Sequence, residues 1–364
     1  MQYNLQNSLL TSLEIAAKSG FKKPASWPDI RKNLVDNSIR LLVDDRYPIG
    51  FIATVTGGYS VNIDGEHYAD YNSEAQFSIA DWSQYSATDG YAISYPTGAS
   101  KAHIVDIYPQ TSGNNITNCR CSRVAASGNE QQGLLWAHFN LSNQIALTYF
   151  ANDSASYIEQ SLTAITAKGN KLSTQSLYYA FTNTALEYVP DFVFASSMGY
   201  LLDGAFSNTK LVNITIKDTA FTDLNEVFYN CQDLKKLEFK NVDFSGLTSM
   251  RNTVTNAVKL KNIVIDLSAA TGLKAISLYG DNTHFIGGLK GLRVSSSAPF
   301  DNATSPQINV SYTGLDRAAL VQLFNDLPTV TGGQTINITG CCGTDSLTDD
   351  EKATVTDKGW SFGE

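Results

Sequence analysis

Between residues 181 and 294, the apolar positions follow a short phrase that recurs several times. A leading leucine is followed by two more apolar residues at fixed offsets, as in Leu211, Ile214 and Ile216. The leading leucines of five copies stand at positions 186, 211, 234, 260 and 289, with spacings of 25, 23, 26 and 29 residues. An imperfect period of this length predicts a solenoid, in which each unit buries its short strand against the next.

Residues 41–150 show a different pattern, that of short alternating runs separated by turn signals. The runs stand at 51–55, 59–63, 77–79, 91–93, 103–107, 134–139 and 145–149. Many short strands with turns about every ten residues predict a β-sandwich. The phrase from Gly57 to Gly65 resembles the strand–turn signature of polycystic-kidney-disease-type immunoglobulin-like domains, with Asn62-Ile63-Asp64-Gly65 in place of Trp-Gly-Asp-Gly. This resemblance implies an immunoglobulin-like sandwich.

Residues 1–40 read as a helical segment with an apolar stripe. The stripe recurs every four residues over 3–20, and Pro28 and Asp29 suit the start of a second helix. We predict that this segment docks on another subunit or self-associates into a homo-oligomer, possibly a trimer. The alternative is that it covers one end of the β domain. The residues assigned to oligomerisation are Leu5, Leu9, Leu13 and Trp27.

The remaining segments read as connections to the solenoid and a cap on it. Residues 151–180 are predicted as a linker, with a short helix over 157–167. In residues 295–364, strands at 308–310 and 335–339 alternate with two helices, the second of which begins with the capping box Thr348 and Glu351. Such a segment suits the exposed apolar end of a solenoid. The fold class is therefore a multidomain chain of α/β and all-β parts.

The balance of charge narrows the range of partners. Charged residues make up 17% of the 364, the net charge is −9, and no run of Lys or Arg occurs, so we expect no nucleic-acid partner.

No apolar stretch of about 20 residues is present, so we expect no membrane insertion. The first residues lack the pattern of a signal peptide, which predicts synthesis in a cytoplasm. A composition rich in Ser, Thr, Asn and Tyr nevertheless suits a surface protein, as in a virion released by lysis.

Motifs for catalysis or metal binding are not found in the sequence. The five cysteines lack zinc-site spacing and are predicted to be reduced thiols. There is no phosphate-binding loop and no Gly-x-Ser-x-Gly elbow. His103 and His138 are predicted to be packed histidines of the sandwich. We therefore expect no catalytic residues, no metal and no cofactor.

Tyrosines are the most conspicuous candidates for binding. The chain has 18, and several fall outside the core pattern. Exposed aromatic rings flanked by Asn, Ser and Asp suit stacking on sugars and contacts with proteins, although the rings could instead fill half-buried strand positions. The predicted binding surface consists of Tyr68, Tyr71, Tyr85, Tyr91, Tyr95, Tyr178, Tyr179, Tyr200 and Tyr229.

The repeat phrases Asn/Thr-Lys-Leu-x-x-Ile-x-Ile, with Ala205-Phe206 and Val227-Phe228, resemble BspA-like leucine-rich repeat proteins of gut and oral bacteria and their phages. The resemblance covers residues 181–364, because the phrases at 313–320, 346–353 and 358–360 are similar to the terminal cap of such proteins. The phrases at 7–14 and 23–31 are similar to the openings of phage tail-associated proteins.

These resemblances imply a non-enzymatic virion protein, in the tail-fibre, baseplate or head-fibre group, that attaches to a host-surface protein or glycan. Its other partners would be further virion proteins. The alternative is a bacterial cell-surface adhesin with the same solenoid, and a third possibility is a hydrolase of cell-wall polysaccharide.

Overall fold

The structure, a computed structural model, describes residues 21–79, 82, 91–95, 98–121, 133–151, 161–301 and 306–363, with the backbone alone for 91–95 and 98–100. Within these ranges the chain forms 22 strands and two α-helices. The expected strand-rich architecture is thus confirmed in outline.

Two sheets dominate the first half of the chain. One contains β1 (Ser38–Asp44), β3 (Tyr59–Ile63), β4 (Glu66–Tyr71), β6 (Tyr91–Tyr95), β7 (Gly98–Pro109), β9 (Leu134–Asn140) and β11 (Ala164–Ala167). The other contains β2 (Ile49–Val55), β5 (Gln76–Ile79), β8 (Ile116–Cys121), β10 (Ile145–Ala146), β12 (Lys171–Ser176) and β13 (Asp191–Phe194). Their spatial orders are β11-β9-β1-β7-β3-β4, with β6 also on β7, and β13-β12-β10-β8-β2-β5. The immunoglobulin-like class of this region stays a prediction.

Strand β1 shows how the alternation of side chains builds two layers. Ile39, Leu41 and Val43 point into the main core, which both sheets share. Leu42, between them, points to the opposite face and joins a second cluster there. Successive side chains of a strand face opposite sides, so a strand buried on both faces requires something to cover the outer one.

The segment 21–37 supplies that cover. Trp27 is only 4% exposed and stacks on Trp136 of β9, with ring centroids 6.5 Å apart. Phe21 packs on the same indole at 4.7 Å, and the Arg31 guanidinium lies 5.6 Å from its centroid. In the described part of the segment, Trp27 packs on the β domain, as in the alternative from the sequence, but it covers the outer face of a sheet rather than one end. Leu5, Leu9 and Leu13 lie outside the described residues.

The helix predicted to begin at Pro28 does not form. Residues 25–37 run through turns instead. Asp29 accepts hydrogen bonds from the backbone and side chain of Arg31, two residues on, and Asn33 and Asn37 adopt positive φ values of 54° and 58°. A side chain that bonds so locally, followed by left-handed residues, favours a turn over a helix.

The second half of the chain is built from parallel strands stacked repeat on repeat. The leucine phrases form β14 (Asn213–Ala220), β15 (Lys236–Asp243), β17 (Ile263–Leu267) and β19 (Leu289–Val294). A further parallel sheet contains β16 (Ser249–Arg251), β18 (Ala275–Ser277), β20 (Ile308–Asn309), β21 (Thr335–Asn337) and β22 (Ser361–Phe362). The five leading leucines are at most 3% exposed, so their predicted burial is confirmed.

The predicted linker over 151–180 is corrected by the structure. Its described part, 161–180, holds β11, β12 and a 3₁₀ turn at Lys168–Asn170, and the predicted helix is not formed over 161–167. Strand β11 pairs in parallel with β9, and β12 lies between β10 and β13. Leu162, Ile165 and Leu172 join the main core, which continues without a break into the repeats. The apolar residues read as a helical stripe therefore belong to strands that enter the first repeats.

The C-terminal segment adopts the predicted strand and helix order. Helix α1 spans Arg317–Asp326, α2 spans Asp349–Asp357, and a 3₁₀ turn covers Thr344–Ser346. Asp316 caps α1 by accepting from the backbone N–H of Ala319, and the predicted capping box of Thr348 and Glu351 is formed.

A candidate binding surface on the repeat turns

The tight turns between the strands stack on one another as a ladder. In each turn a backbone N–H donates to a carbonyl of the next repeat, at 2.8–2.9 Å, for the pairs Tyr149–Tyr178, Tyr179–Asp203, Gly204–Asn225 and Glu226–Arg251. Residues 20 to 30 positions apart in sequence are therefore direct neighbours on this face of the molecule.

The recurring phrase Phe-x-Asn has a physical cause in this ladder. The rings of Phe150, Phe181, Phe206 and Phe228 form a row below the turns; the last three stack at 5.5–5.6 Å, and Phe150 meets Phe181 edge-on at 6.1 Å. Two residues after each of the last three rings, an asparagine adopts positive φ. The side-chain amides of Asn208 and Asn230 each donate to the asparagine of the preceding repeat, as Asn208 Nδ2 does to Asn183 Oδ1 at 2.8 Å. Asparagine suits this position because it tolerates the left-handed region and carries both a donor and an acceptor.

A second set of left-handed residues lies at the outer edge of the same turns. We call it the left-handed column; its members have φ between 49° and 63° and are Tyr149, Tyr179, Gly204, Glu226 and Asn252. Glycine and asparagine adopt such backbone readily, but tyrosine does so at a cost. Backbone strain of this kind, when surrounding structure maintains it, points to a functional surface.

Four tyrosine rings meet at this edge, and we call them the tyrosine patch: Tyr149, Tyr178, Tyr179 and Tyr200. Tyr149 and Tyr179 lie nearly parallel, with centroids 6.1 Å apart. The Tyr178 ring stands at 80–89° to the other three, with centroids 4.9–5.8 Å away. Tyr200 is 57% exposed and the other three rings are half-buried. The patch is thus an open aromatic surface with rings at right angles.

Gly204 and Glu226 fix the position of the Tyr179 ring. A Cβ at Gly204 would lie 2.4 Å from Cε1 of Tyr179, so only glycine lets the ring lie across the next turn. The Tyr179 hydroxyl donates to Glu226 Oε2, 3.3 Å away. The ring is thus held at both its edge and its hydroxyl by the two following members of the left-handed column.

Acidic groups adjoin the patch on its C-terminal side. Asp203 Oδ1 accepts from the backbone N–H of Asn225 at 2.9 Å, and Oδ2 accepts from the Asn225 amide at 3.3 Å. Burial is the main cause that raises the pKa of Asp203 to about 6, and the charges of Asp223 and Glu226 add to it. The region beside the tyrosines therefore has a concentrated negative potential.

The predicted tyrosines of the antiparallel region have a different environment. Tyr71 stacks on the fully buried Tyr59 at 5.3 Å and contacts Phe77 at 6.0 Å. Tyr68, 37% exposed, packs edge-on against Phe77. We call Tyr59, Tyr68, Tyr71 and Phe77 the sandwich-edge cluster. Its rings extend the core outward. This fits the alternative that these tyrosines fill half-buried strand positions.

The structure brings together three of the nine predicted tyrosines, Tyr178, Tyr179 and Tyr200. Tyr229 is half-buried in a later turn, where its backbone carbonyl accepts from Asn208. Tyr91 and Tyr95 lie on β6, but their side chains are outside the described part, as is all of Tyr85.

The histidines considered from sequence are packed and hydrogen-bonded. His103 Nδ1 lies 2.6 Å from Asp64 Oδ2, and its ring stacks on Trp82 at 4.6 Å. His138 Nδ1 lies 2.8 Å from Thr166 Oγ1, and burial, with the charges of Arg31 and Arg40 added, lowers the pKa of His138 to about 4.

The five cysteines, all within the described ranges, are free thiols, of which only Cys342 is exposed. Among the described residues, no three His, Cys, Asp or Glu side chains group closely enough to hold a metal ion. None of the helices in the described ranges is long and apolar enough to cross a membrane.

Sequence reasoning missed Tyr149, Asp203 and Glu226. The run at 145–149 predicts Tyr149 at the end of a strand, whereas it lies in a turn. A signal was present, because Leu147-Thr-Tyr149 is similar to Leu177-Tyr-Tyr179, with a tyrosine two residues after a leucine in both. For the two acids the sequence gives no such signal, since their significance comes from neighbours in other repeats.

Comparison with known proteins supports the repeat assignment. Residues 151–276 match the BspA type leucine-rich repeat region, in six copies. No curated protein matches the chain, and neither does any solved structure. The matched segment begins 30 residues before the predicted solenoid and contains three tyrosines of the patch, Tyr178, Tyr179 and Tyr200. Repeats of this type suggest a role in protein interaction or surface adhesion.

Proposed function

We propose that the protein is a non-enzymatic attachment protein whose tyrosine patch binds a protein or glycan on a target cell surface. The observation that carries the proposal is the patch itself, in which Tyr178 contacts the other three rings at an open edge of the repeats and two of the four residues have left-handed backbone. Tyrosine is, with tryptophan and arginine, one of the residues enriched at binding hot spots. The stacked repeats present the patch on a rigid support.

Binding of labelled protein to whole bacterial cells tests this proposal. A variant with Tyr178→Ser and Tyr200→Ser should lose most of its binding to a strain that the wild type binds. The matched control is Tyr68→Ser in the sandwich-edge cluster, which removes a partly exposed ring from the other region and should leave binding unchanged. Equal binding by the patch variant and the wild type would exclude the patch as the attachment surface.

We further propose a phage virion as the setting, with the chain in a tail fibre, baseplate or head fibre. The support is the similarity of the phrases at 7–14 and 23–31 to the openings of phage tail-associated proteins. Mass spectrometry of purified particles should find the chain among the structural proteins. If the chain were absent from particles and could be labelled on the surface of intact bacteria, the alternative of a bacterial cell-surface adhesin would be favoured.

A homo-oligomer, possibly a trimer, is also proposed, formed through the apolar stripe of Leu5, Leu9 and Leu13. Trp27 packs within its own chain. Light scattering after gel filtration should give a multiple of the 39.6 kDa chain mass. Replacing the three leucines by serine should give the monomer, whereas a wild-type monomer would contradict the proposal.

A further inference from the structure

We propose that the tyrosine patch and the adjoining carboxylates of Asp203 and Glu226 bind a lysine or arginine side chain of a protein partner. The inference rests on the proposed attachment function and specifies the partner as a protein with an exposed basic segment. The aromatic surface provides the site, and the charge beside it selects the occupant.

The ring arrangement suits a cation. The face of an aromatic ring carries negative potential, which attracts an ammonium or guanidinium group placed over it. Because Tyr178 is nearly perpendicular to its three neighbours, the rings offer faces in different directions rather than one flat platform. Tyr200, the most exposed ring, lies at the outside of this corner with its centroid 5.8 Å from that of Tyr178.

The charges beside the rings have the complementary sign. The Tyr179 hydroxyl donates a hydrogen bond to Glu226. The negative charges of Asp223 and Glu226 lie near enough to act on the Asp203 carboxyl group. The salt bridges described in the repeats engage other carboxylates, such as Asp233 with Lys259 and Glu238 with Lys236. Within the described ranges, Asp203, Asp223 and Glu226 form no salt bridge.

The spacing of the groups suits an extended segment. Neighbouring strands of a sheet lie about 4.8 Å apart, so the members of the left-handed column follow one another at that interval along the stack. Tyr149 and Tyr179 come first, Gly204 leaves a gap over which the Tyr179 ring lies, and Glu226 follows. A basic side chain placed on the rings would have the carboxylates within reach along the same line.

The experiment measures binding of a peptide to the full chain by calorimetry. The probe is an acetylated, amidated dodecapeptide of alternating Lys and Gly, and a Glu–Gly peptide and a neutral maltooligosaccharide serve as comparison probes. The lysine peptide should bind, and binding should weaken as salt rises. Tyr200→Ser, at an exposed position that spares the fold, and the pair Asp203→Asn with Glu226→Gln should each weaken it about tenfold or more, a factor equivalent to about 1.4 kcal/mol.

A matched charge control separates this site from the general attraction of a chain with net charge −9. Asp233→Asn with Glu238→Gln also removes two negative charges, but from carboxylates that already have lysine partners. This variant should keep nearly full affinity. Equal weakening by the two pairs, or unchanged affinity of Tyr200→Ser, would overturn the inference. So would preferential binding of the maltooligosaccharide, which would assign the patch to glycans instead.

The cell-binding assay keeps this inference apart from the attachment proposal. If the lysine peptide competes with cell attachment, both are supported. If patch variants lose attachment but the peptide neither binds nor competes, the cationic partner is wrong and the attachment function still holds. If patch variants attach normally, the attachment proposal itself fails at this surface.

Discussion

The sandwich-edge cluster and the tyrosine patch contain the same kind of side chain in opposite structural roles. Tyr59, at the centre of the first group, is fully buried, and its hydroxyl donates to the carbonyl of Ala75 at 2.5 Å. Tyr200, in the second, is 57% exposed. Tyr71 rests on core residues, whereas Tyr178 rests on other half-exposed tyrosines. Tyrosines that the sequence alone does not distinguish thus either extend a core or support one another at a surface.

The largest expected effect is in the sandwich-edge cluster. Replacing Tyr59 by alanine should lower the free energy of unfolding by about 3–5 kcal/mol, because a buried ring leaves a cavity and a buried hydrogen bond is lost. Chemical denaturation measures the change. A loss below about 1 kcal/mol would contradict the burial that separates the two groups.

Gly204→Ala should destabilise the protein by about 2–4 kcal/mol, because alanine is strained at positive φ and its Cβ meets the Tyr179 ring. The control is Gly169→Ala, at φ 62° with nothing within 4 Å of the added Cβ. The control should show the backbone cost alone. Equal losses for the two variants, or an unchanged near-ultraviolet circular dichroism signal in Gly204→Ala, would mean that the ring does not depend on the glycine.

The third effect is a dependence on pH through Asp203, whose pKa rises from 3.8 to about 6 in the folded protein. The folded state then holds this proton more tightly than the unfolded state, so the contribution of the group falls as pH rises from about 4 to above 6. Relative to Asp203→Asn, the free energy of unfolding of the wild type should fall by on the order of 1 kcal/mol across that range. The effect stays this small because solvent partly screens the carboxyl group. Denaturation midpoints at pH 4 and pH 7 measure it, and a constant difference between the two proteins would contradict it.

The smallest expected effect on stability belongs to the most exposed ring. Tyr200→Ala should change the free energy of unfolding by no more than about 0.5 kcal/mol, as is usual for surface substitutions. The same denaturation measurement applies. A loss close to that of Tyr59→Ala would remove the distinction between the two groups, since the patch ring would then be structural too.

Much of the repeat region could be predicted from local pattern. The leucines of the recurring phrase are buried as expected, since each copy repeats the same strand with the same inward positions. The capping box of Thr348 and Glu351 also follows from residues three apart. The position at which the repeat region begins was less predictable. Residues 162–167 fall in the predicted helix over 157–167, but 164–167 form a strand that depends on pairing with β9, which lies earlier in the chain.

The sequence by itself determined the repeat, the residues that fill its core and the capping box of the last helix, because all three depend on neighbours along the chain. Only the tertiary structure decided which tyrosines form a surface. Tyr149, Tyr178 and Tyr200 lie 29 and 22 residues apart, and stacking of the repeats brings them into contact. The register of that stacking follows hydrogen bonds between residues that lie 21 to 29 positions apart, so no fixed spacing in the sequence encodes it.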